Sequence, residues 1–177
     1  KMVNKNFLFK NNYKDKIKSS IFEPIFIFGI PRTGTTLVET IITSGEEKIY
    51  NAGENLIVQK ALQDSHLNKK IYETEKSITI DSDFIRKNII ERYMKQFSIN
   101  SKKIKFIDRT MTNFFFSEIL LELFPNAKII NCKRDNFHNL VAIYQQCLNN
   151  LPWSHNIEDI KKYISIYNFK LKKLEKI

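Results

Sequence analysis

Three short stretches hold the residues best suited to gripping an anion. In Gly29-Ile30-Pro31-Arg32-Thr33-Gly34-Thr35-Thr36, two glycines bracket a guanidinium, and three hydroxyls lie close by. Arg109 directly follows Asp108, and Lys133-Arg134 directly follow Cys132. The spacing of Gly29 and Gly34 is that of a phosphate-binding loop, with one departure. An NTP-binding loop carries Lys before its Ser/Thr; here Thr35-Thr36 stand in that place and the cation comes earlier, at Arg32. Guanidinium and backbone N–H groups hold oxyanions through charge-assisted hydrogen bonds. If the three basic stretches converge, their mutual repulsion calls for a polyanionic ligand.

Convergence depends on the elements that carry them. Residues 25–28 form an apolar, β-branched and aromatic run that predicts a strand buried on both faces. Residues 35–42 predict a helix, whose first N–H groups lack intrahelical partners and point into the glycine-bounded turn. Further strands are predicted at 103–108 and 127–132, so that three strands end at Gly29, Asp108 and Cys132. Helices are predicted from about 54 to 63, over 83–97 with Asp83 as N-cap, and from about 112 to 124. Two more follow over 136–149 and 156–177, the last carrying Ile160, Tyr163, Ile164, Tyr167 and Leu171 on one face. Alternating strands and helices predict an α/β fold with a parallel sheet flanked by helices. Ligands of such sheets bind beyond the carboxyl ends of the strands, where the basic residues fall. All four glycines, at 29, 34, 45 and 53, lie in one region. Residues 1–20 read as a tail or linker, residues 66–82 as loop, and residues 21–177 as one domain.

Composition narrows the function classes. A hydrophobic content of 42% argues against a disordered chain. The net charge of +10 suggests nucleic acid, but the lysines are dispersed among Asn and Ile and form no patch, so nucleic acid is not expected as a partner. No apolar run is long enough to span a bilayer, and no leader-like apolar segment opens the chain. Cys132 and Cys147 make no disulfide framework, which predicts reduced thiols and a cytoplasmic setting. Neither cysteine falls into metal-ligand spacing with His66, His138 or His155, and no metal is expected. Blander roles are available for each candidate. The turn can be a tight strand-to-helix connection, Arg134 can pair with Asp135, and Arg109 can pair with Asp108 or Glu118. Glu54 can favour the first turn of its helix, and Trp153 can be core or a packed loop.

GIPRTGTT, NAGENL, IDRTMTNF, LFPNAKIINCKRD and the helix with Tyr163 and Tyr167 occur in one order along the chain. Together they resemble the sulfotransferase superfamily from about Pro24 onward. The nearest likeness is to bacterial sulfotransferase domains associated with tetratricopeptide repeats, related to protein-tyrosine sulfotransferases. The resemblance implies a P-loop-like α/β domain whose donor is 3′-phosphoadenosine 5′-phosphosulfate (PAPS), with no metal. It implies that Arg32, Thr33, Gly34, Thr35 and Thr36 hold the 5′-phosphosulfate, that Arg134 holds the 3′-phosphate, and that Arg32 also serves catalysis. Glu54 would be the general base and Arg109 would act on the bridging oxygen. The partner would be a hydroxyl acceptor (peptide tyrosine, carbohydrate or small molecule), and an upstream repeat domain would be a neighbour. Three departures stand out. Arg109 replaces the usual Lys, Ala142 replaces a Ser that contacts the 3′-phosphate, and the chain stops at the long helix where the family domain continues, as in a C-terminally truncated domain.

Two other functions fit parts of the pattern. A P-loop nucleotide kinase or NTPase would use Asp108 with Thr35 or Thr36 to hold Mg²⁺. A non-catalytic, nucleotide-binding remnant would accord with Arg109, Ala142 and the early end. The residues expected to shape an acceptor pocket, 65–82, do not identify the acceptor.

Overall fold

A computed structural model describes residues 6–10, 22–45, 49–65, 77–98 and 104–175. The strands are β1 (Asn6–Lys10), β2 (Phe22–Gly29), β3 (Tyr50–Gly53), β4 (Ser77–Asp81), β5 (Ile104–Asp108) and β6 (Lys128–Cys132). The helices are α1 (Thr35–Thr43), α2 (Ile57–Asp64), α3 (Ser82–Gln96), α4 (Ser117–Leu123), α5 (Asn136–Gln146) and α6 (Ile157–Leu174), with 3₁₀ turns at Met111–Phe116 and Pro152–His155. A four-stranded parallel sheet has the order β3-β5-β2-β6, and β1 pairs with β4 in a separate parallel pair.

The alternation along β2 explains why this strand is central. Phe22, Phe26 and Phe28 project to one face of the sheet and join the larger core with Phe106, Phe114, Tyr93 and Tyr167. Ile25 and Ile27 project to the other face, where Ile107, Cys132, Val38 and Ile42 meet them. Side chains of a strand alternate with period two, so one apolar run supplies both faces. Helix α1 covers the aliphatic face through Val38 and Ile42. The aromatic face is covered by α2, α3, α4 and α6, the last through Ile160, Ile164, Tyr167 and Leu171 at helical spacing.

Register fixes what reaches the carboxyl edge. Gly29 pairs with Cys132, so the glycine loop lies beside Lys133-Arg134. Gly53 pairs with Asp108 after an irregularity in the β3–β5 ladder, and the Arg109 N–H donates to the Gly53 carbonyl at 3.0 Å. Glu54 and Arg109 thus leave adjacent strands side by side.

The strand ends at Gly29, Asp108 and Cys132 match expectation, and four other readings need correction. Residues 50–53, for which no element was predicted, form β3, because Tyr50 and Ala52 pack inward beside β5. Residues 6–10 of the expected tail pair with residues 77–81 of the expected loop. The N-cap of α3 is Asp81, whose Oδ1 accepts from the Phe84 N–H at 3.1 Å; Asp83 is already helical and pairs with Arg86. The stretch expected as one helix over 112–124 is a 3₁₀ turn followed by α4.

Candidate anion and proton-transfer site

The loop between β2 and α1 is held from below, carbonyl by carbonyl. The Ile30 carbonyl accepts from Thr33 twice, from its N–H at 3.2 Å and its hydroxyl at 2.7 Å. The Pro31 carbonyl accepts from Asn139 Nδ2 at 2.7 Å, and the Arg32 carbonyl accepts from Arg134 Nη1 at 3.1 Å. Three successive acceptors are therefore spent on the protein. Arg32 stands in the left-handed region with φ 70, a conformation that costs a non-glycine residue on the order of 1–3 kcal/mol and persists only where its surroundings impose it. Gly34 follows at φ 92 as the N-cap of α1, and it offers no side chain to the helix end. A Cβ there would meet nothing within 4 Å, so glycine answers the dihedral and not a lack of room. Gly29 is the reverse case. A Cβ on it would fall inside 3.0 Å of both Thr33 Oγ1 and Thr35 Cγ2.

Above the loop lies a cavity of about 400 Å³. Arg32, Thr35 and Thr36 line it from the β2–α1 loop, Glu54 and Arg109 from the ends of β3 and β5, and Met111 and residues 148–151 complete the wall. Five expected site residues thus meet in one space. Thr33 and Gly34 do not line it: Thr33 supports the turn from inside and Gly34 shapes it. Arg134 is exposed and grips the loop's outer carbonyl. Ala142 lies half-buried on α5.

Arg109 bridges two carboxylates. Its Nε donates to Glu39 Oε2 at 2.7 Å, and its Nη1 donates to Glu54 Oε1. The Glu39 side chain is 5% exposed and Glu54 is 65% exposed, so one partner is inside the protein and the other at the cavity mouth. Burial works against the guanidinium charge, but the two carboxylates outweigh it and hold the Arg109 pKa above the ordinary arginine value. The anticipated pairing of Arg109 with Asp108 or Glu118 is not what forms. Glu118 lies 3.8 Å from the Lys170 ammonium instead. The suggested Arg134–Asp135 pair is likewise replaced, since Asp135 caps α5 through the His138 N–H and contacts the His138 ring.

Asp108 is enclosed. Its Oδ1 accepts from the Thr110 N–H at 2.8 Å, and its Oδ2 accepts from Asn55 Nδ2 at 3.0 Å and from the Tyr93 hydroxyl. Burial pushes its pKa up against these hydrogen bonds, which pull it down. The Thr110 hydroxyl also clasps the Asn55 backbone, accepting from its N–H at 2.9 Å and donating to its carbonyl at 3.0 Å. This network fixes the backbone on which Glu54 and Arg109 sit. It also leaves Asp108 outside the cavity, contrary to the Mg²⁺ role that a kinase or NTPase would need.

Glu39, Asn139 and Asn55 were not anticipated from the sequence. Glu39 had a signal: with Thr35, Val38 and Ile42 it forms an i, i+3, i+4, i+7 stripe on the face of α1 that turns inward. Asn139 and Asn55 had none, since single asparagines in helices and loops are ordinary. Cys132 is buried, and burial raises its pKa. Trp153, in the 3₁₀ turn Pro152–His155, packs against the core and stacks on Tyr163 with centroids 4.0 Å apart. His138 and His155 are exposed; His66 lies outside the described residues. Among the described residues no cluster of His, Cys, Asp and Glu is disposed to hold a metal ion, and no helix is long and apolar enough to cross a membrane.

Comparison with known proteins agrees with this architecture. An uncharacterized protein of Aquifex aeolicus (strain VF5) is 35% identical over 132 residues, covering 70% of this chain and 17% of its own length. A protein-tyrosine sulfotransferase of Drosophila melanogaster is 24% identical over 155 residues, covering 76% of this chain and 30% of its own length. The matched regions are thus less than a third of either relative. A family model described as the sulfotransferase family matches residues 24–176, which take in all but the first two residues of β2 and the whole of the cavity. The chain belongs to the sulfotransferase family.

Proposed function

We propose that the cavity takes the phosphosulfate end of PAPS and supports sulfuryl transfer to an acceptor hydroxyl. The observation that carries this reading is the meeting of Arg32, Thr35, Thr36, Glu54 and Arg109 around one space. The uncapped N-terminus of α1 presents N–H groups with no intrahelical acceptor, and Arg32 with the two threonine hydroxyls adds a cation and further donors. Thr33 and Gly34 belong to the proposal as the residues that give the loop its shape. The donor supplies a sulfuryl group attached through a bridging oxygen to a phosphate that leaves as an anion. Arg109 and Arg32 stabilise the charge that gathers on that oxygen. Arg109, its pKa held up, does so as a fixed cation and donates no proton. Glu54, at the mouth, takes the proton of the incoming hydroxyl as its oxygen bonds to sulfur and the bridging bond breaks.

Arg134 is proposed for the 3′-phosphate, with Ala142 withholding the hydrogen bond that a serine would add. Its exposed guanidinium already marks the outer rim of the loop. A tyrosine, sugar or small alcohol acceptor and a tetratricopeptide-repeat neighbour rest on the family resemblance, and a cytoplasmic setting rests on the lack of a disulfide framework.

The test is ligand-induced stabilisation. Adenosine 3′,5′-bisphosphate without metal should raise the melting temperature more than ATP with Mg²⁺. At a hundredfold excess over Kd the linkage is worth about 2.7 kcal/mol, a rise of roughly 5–10 °C for a chain of this size. The opposite order would favour a phosphoryl-transfer protein, and no rise with either would remove the donor assignment.

A further inference from the structure

We infer that Glu39 is the positioning residue of this site: it holds Arg109 by Nε and so aims the guanidinium's Nη edge into the cavity. The inference rests on the sulfuryl-transfer reading for what Arg109 does, but not for how Arg109 is held. Three observations carry it. The Nε–Oε2 bond is 2.7 Å and joins a helix on one face of the sheet to the end of β5. Glu39 is nearly sealed from water, and among the described residues its Oε1 has no hydrogen-bond partner and Arg109 alone compensates the buried charge. Glu39 also lies one helical turn beyond Thr35 and Thr36, so one short helix sets both the anion-binding hydroxyls and the anchor of the arginine.

The two carboxylates on Arg109 are therefore unequal. The Glu54 partner is exposed, so an anion arriving at the loop can take its place on Nη1 at little cost. The Glu39 partner stays, as a pivot. Nη2 has no protein acceptor among the described residues. An arginine suits this arrangement because its planar fork offers one edge to Glu39 and the other to the ligand, which a lysine ammonium does not reproduce.

Two measurements on the chain as it stands decide the matter. In isotopically labelled protein, one slowly exchanging arginine Nε–H resonance should vanish in Arg109→Lys and persist in Glu54→Gln and Glu39→Gln. The same resonance should exchange about tenfold faster or more in Glu39→Met, where no acceptor remains. A resonance indifferent to Glu39→Met overturns the inference. The second measurement is calorimetric binding of adenosine 3′,5′-bisphosphate. Removing a negative charge beside an anion site should by itself tighten binding, so Glu39→Gln should bind at least as well as wild type. Glu39→Met removes the same charge yet should bind about tenfold more weakly, because the guanidinium is no longer aimed. Equal tightening in both variants would make Glu39 a mere charge. Lowered stability with unchanged Kd would make it a mere core residue, and either outcome sinks the inference. Should Glu39→Met fail to fold, Glu39→Asp keeps the charge but shortens the reach, and weaker binding with faster exchange is expected. Wild type that shows the exchange pattern but no binding of the bisphosphate would count against the sulfuryl-donor reading and leave the anchor standing.

Discussion

Gly29→Ala should damage the loop through one identifiable neighbour, and a second substitution should repair most of the damage. The Cβ added at Gly29 would be 2.8 Å from Thr35 Cγ2, closer still to Thr33 Oγ1, and 3.3 Å from Cys132 Cβ. Relief requires the Thr33 hydroxyl to abandon its 2.7 Å bond to the Ile30 carbonyl. Losing that bond costs about 1 kcal/mol, and residual overpacking costs about 1–3 kcal/mol. Gly29 has an ordinary negative φ, so alanine also gains about 0.4–1 kcal/mol by restricting the unfolded chain. The net cost is about 2 kcal/mol, with overpacking the largest contribution. Thr33→Ala alone should cost about 1 kcal/mol, because the Thr33 N–H keeps its bond to the same carbonyl. In the Thr33→Ala background the clash with Thr33 Oγ1 is gone while the Thr35 Cγ2 and Cys132 Cβ contacts remain, so Gly29→Ala should cost about 1 kcal/mol less than in wild type. Urea titration followed by the fluorescence of Trp153, the sole tryptophan, measures all four proteins. Because Thr35 lines the cavity, Gly29→Ala should also weaken binding of adenosine 3′,5′-bisphosphate, and the double variant should recover part of it. Penalties that add within about 0.3 kcal/mol would refute the steric account.

Arg134→Ala should weaken adenosine 3′,5′-bisphosphate while nearly sparing adenosine 5′-monophosphate, since the bond it gives up to the Arg32 carbonyl is exposed; equal losses for both ligands, measured by calorimetry, would show that Arg134 serves the loop and not the 3′-phosphate. Tyr163 tests the core under α6. Its hydroxyl is buried without a partner among the described residues, and burial pushes its pKa up to about 12 from the ordinary 10.0. The folded value exceeds the unfolded one, so this stabilising contribution is complete below pH 10 and is lost as pH rises through about 12. The loss approaches about 3 kcal/mol. Tyr163→Phe should be neutral or slightly stabilising at pH 7 and should flatten that alkaline decline in thermal unfolding; an unchanged decline would place its origin elsewhere, with Tyr167 the next group to examine.

What the sequence disclosed, and what it withheld, divides along a physical line. The strand ends at Gly29, Asp108 and Cys132 were legible because an apolar run stopping at a glycine or a charge is a local signal, read without knowing the neighbours. Strand β3 was not, because four residues ending in Ala52-Gly53 carry too little pattern; its strand character comes from pairing with β5, a partner more than fifty residues away. The same line runs through the site. Arg32, Thr35 and Thr36 announce themselves as one contiguous loop, and Arg109 and Arg134 as cations where strands end. Glu39 is different, because an acidic residue on a helix is by default a surface residue. Only the inward stripe of Thr35, Val38 and Ile42 contradicts that default, and acting on it requires knowing that a cation waits beneath. That cation is Arg109, seventy residues on. A buried carboxylate of this kind is costly to keep unless it is paired, and replacing such pairs by apolar residues is often neutral or stabilising. Its presence in a nine-residue helix that otherwise packs on Val38 and Ile42 is therefore poorly explained by stability. Holding one edge of a guanidinium, so that the other edge meets whatever enters the cavity, explains it.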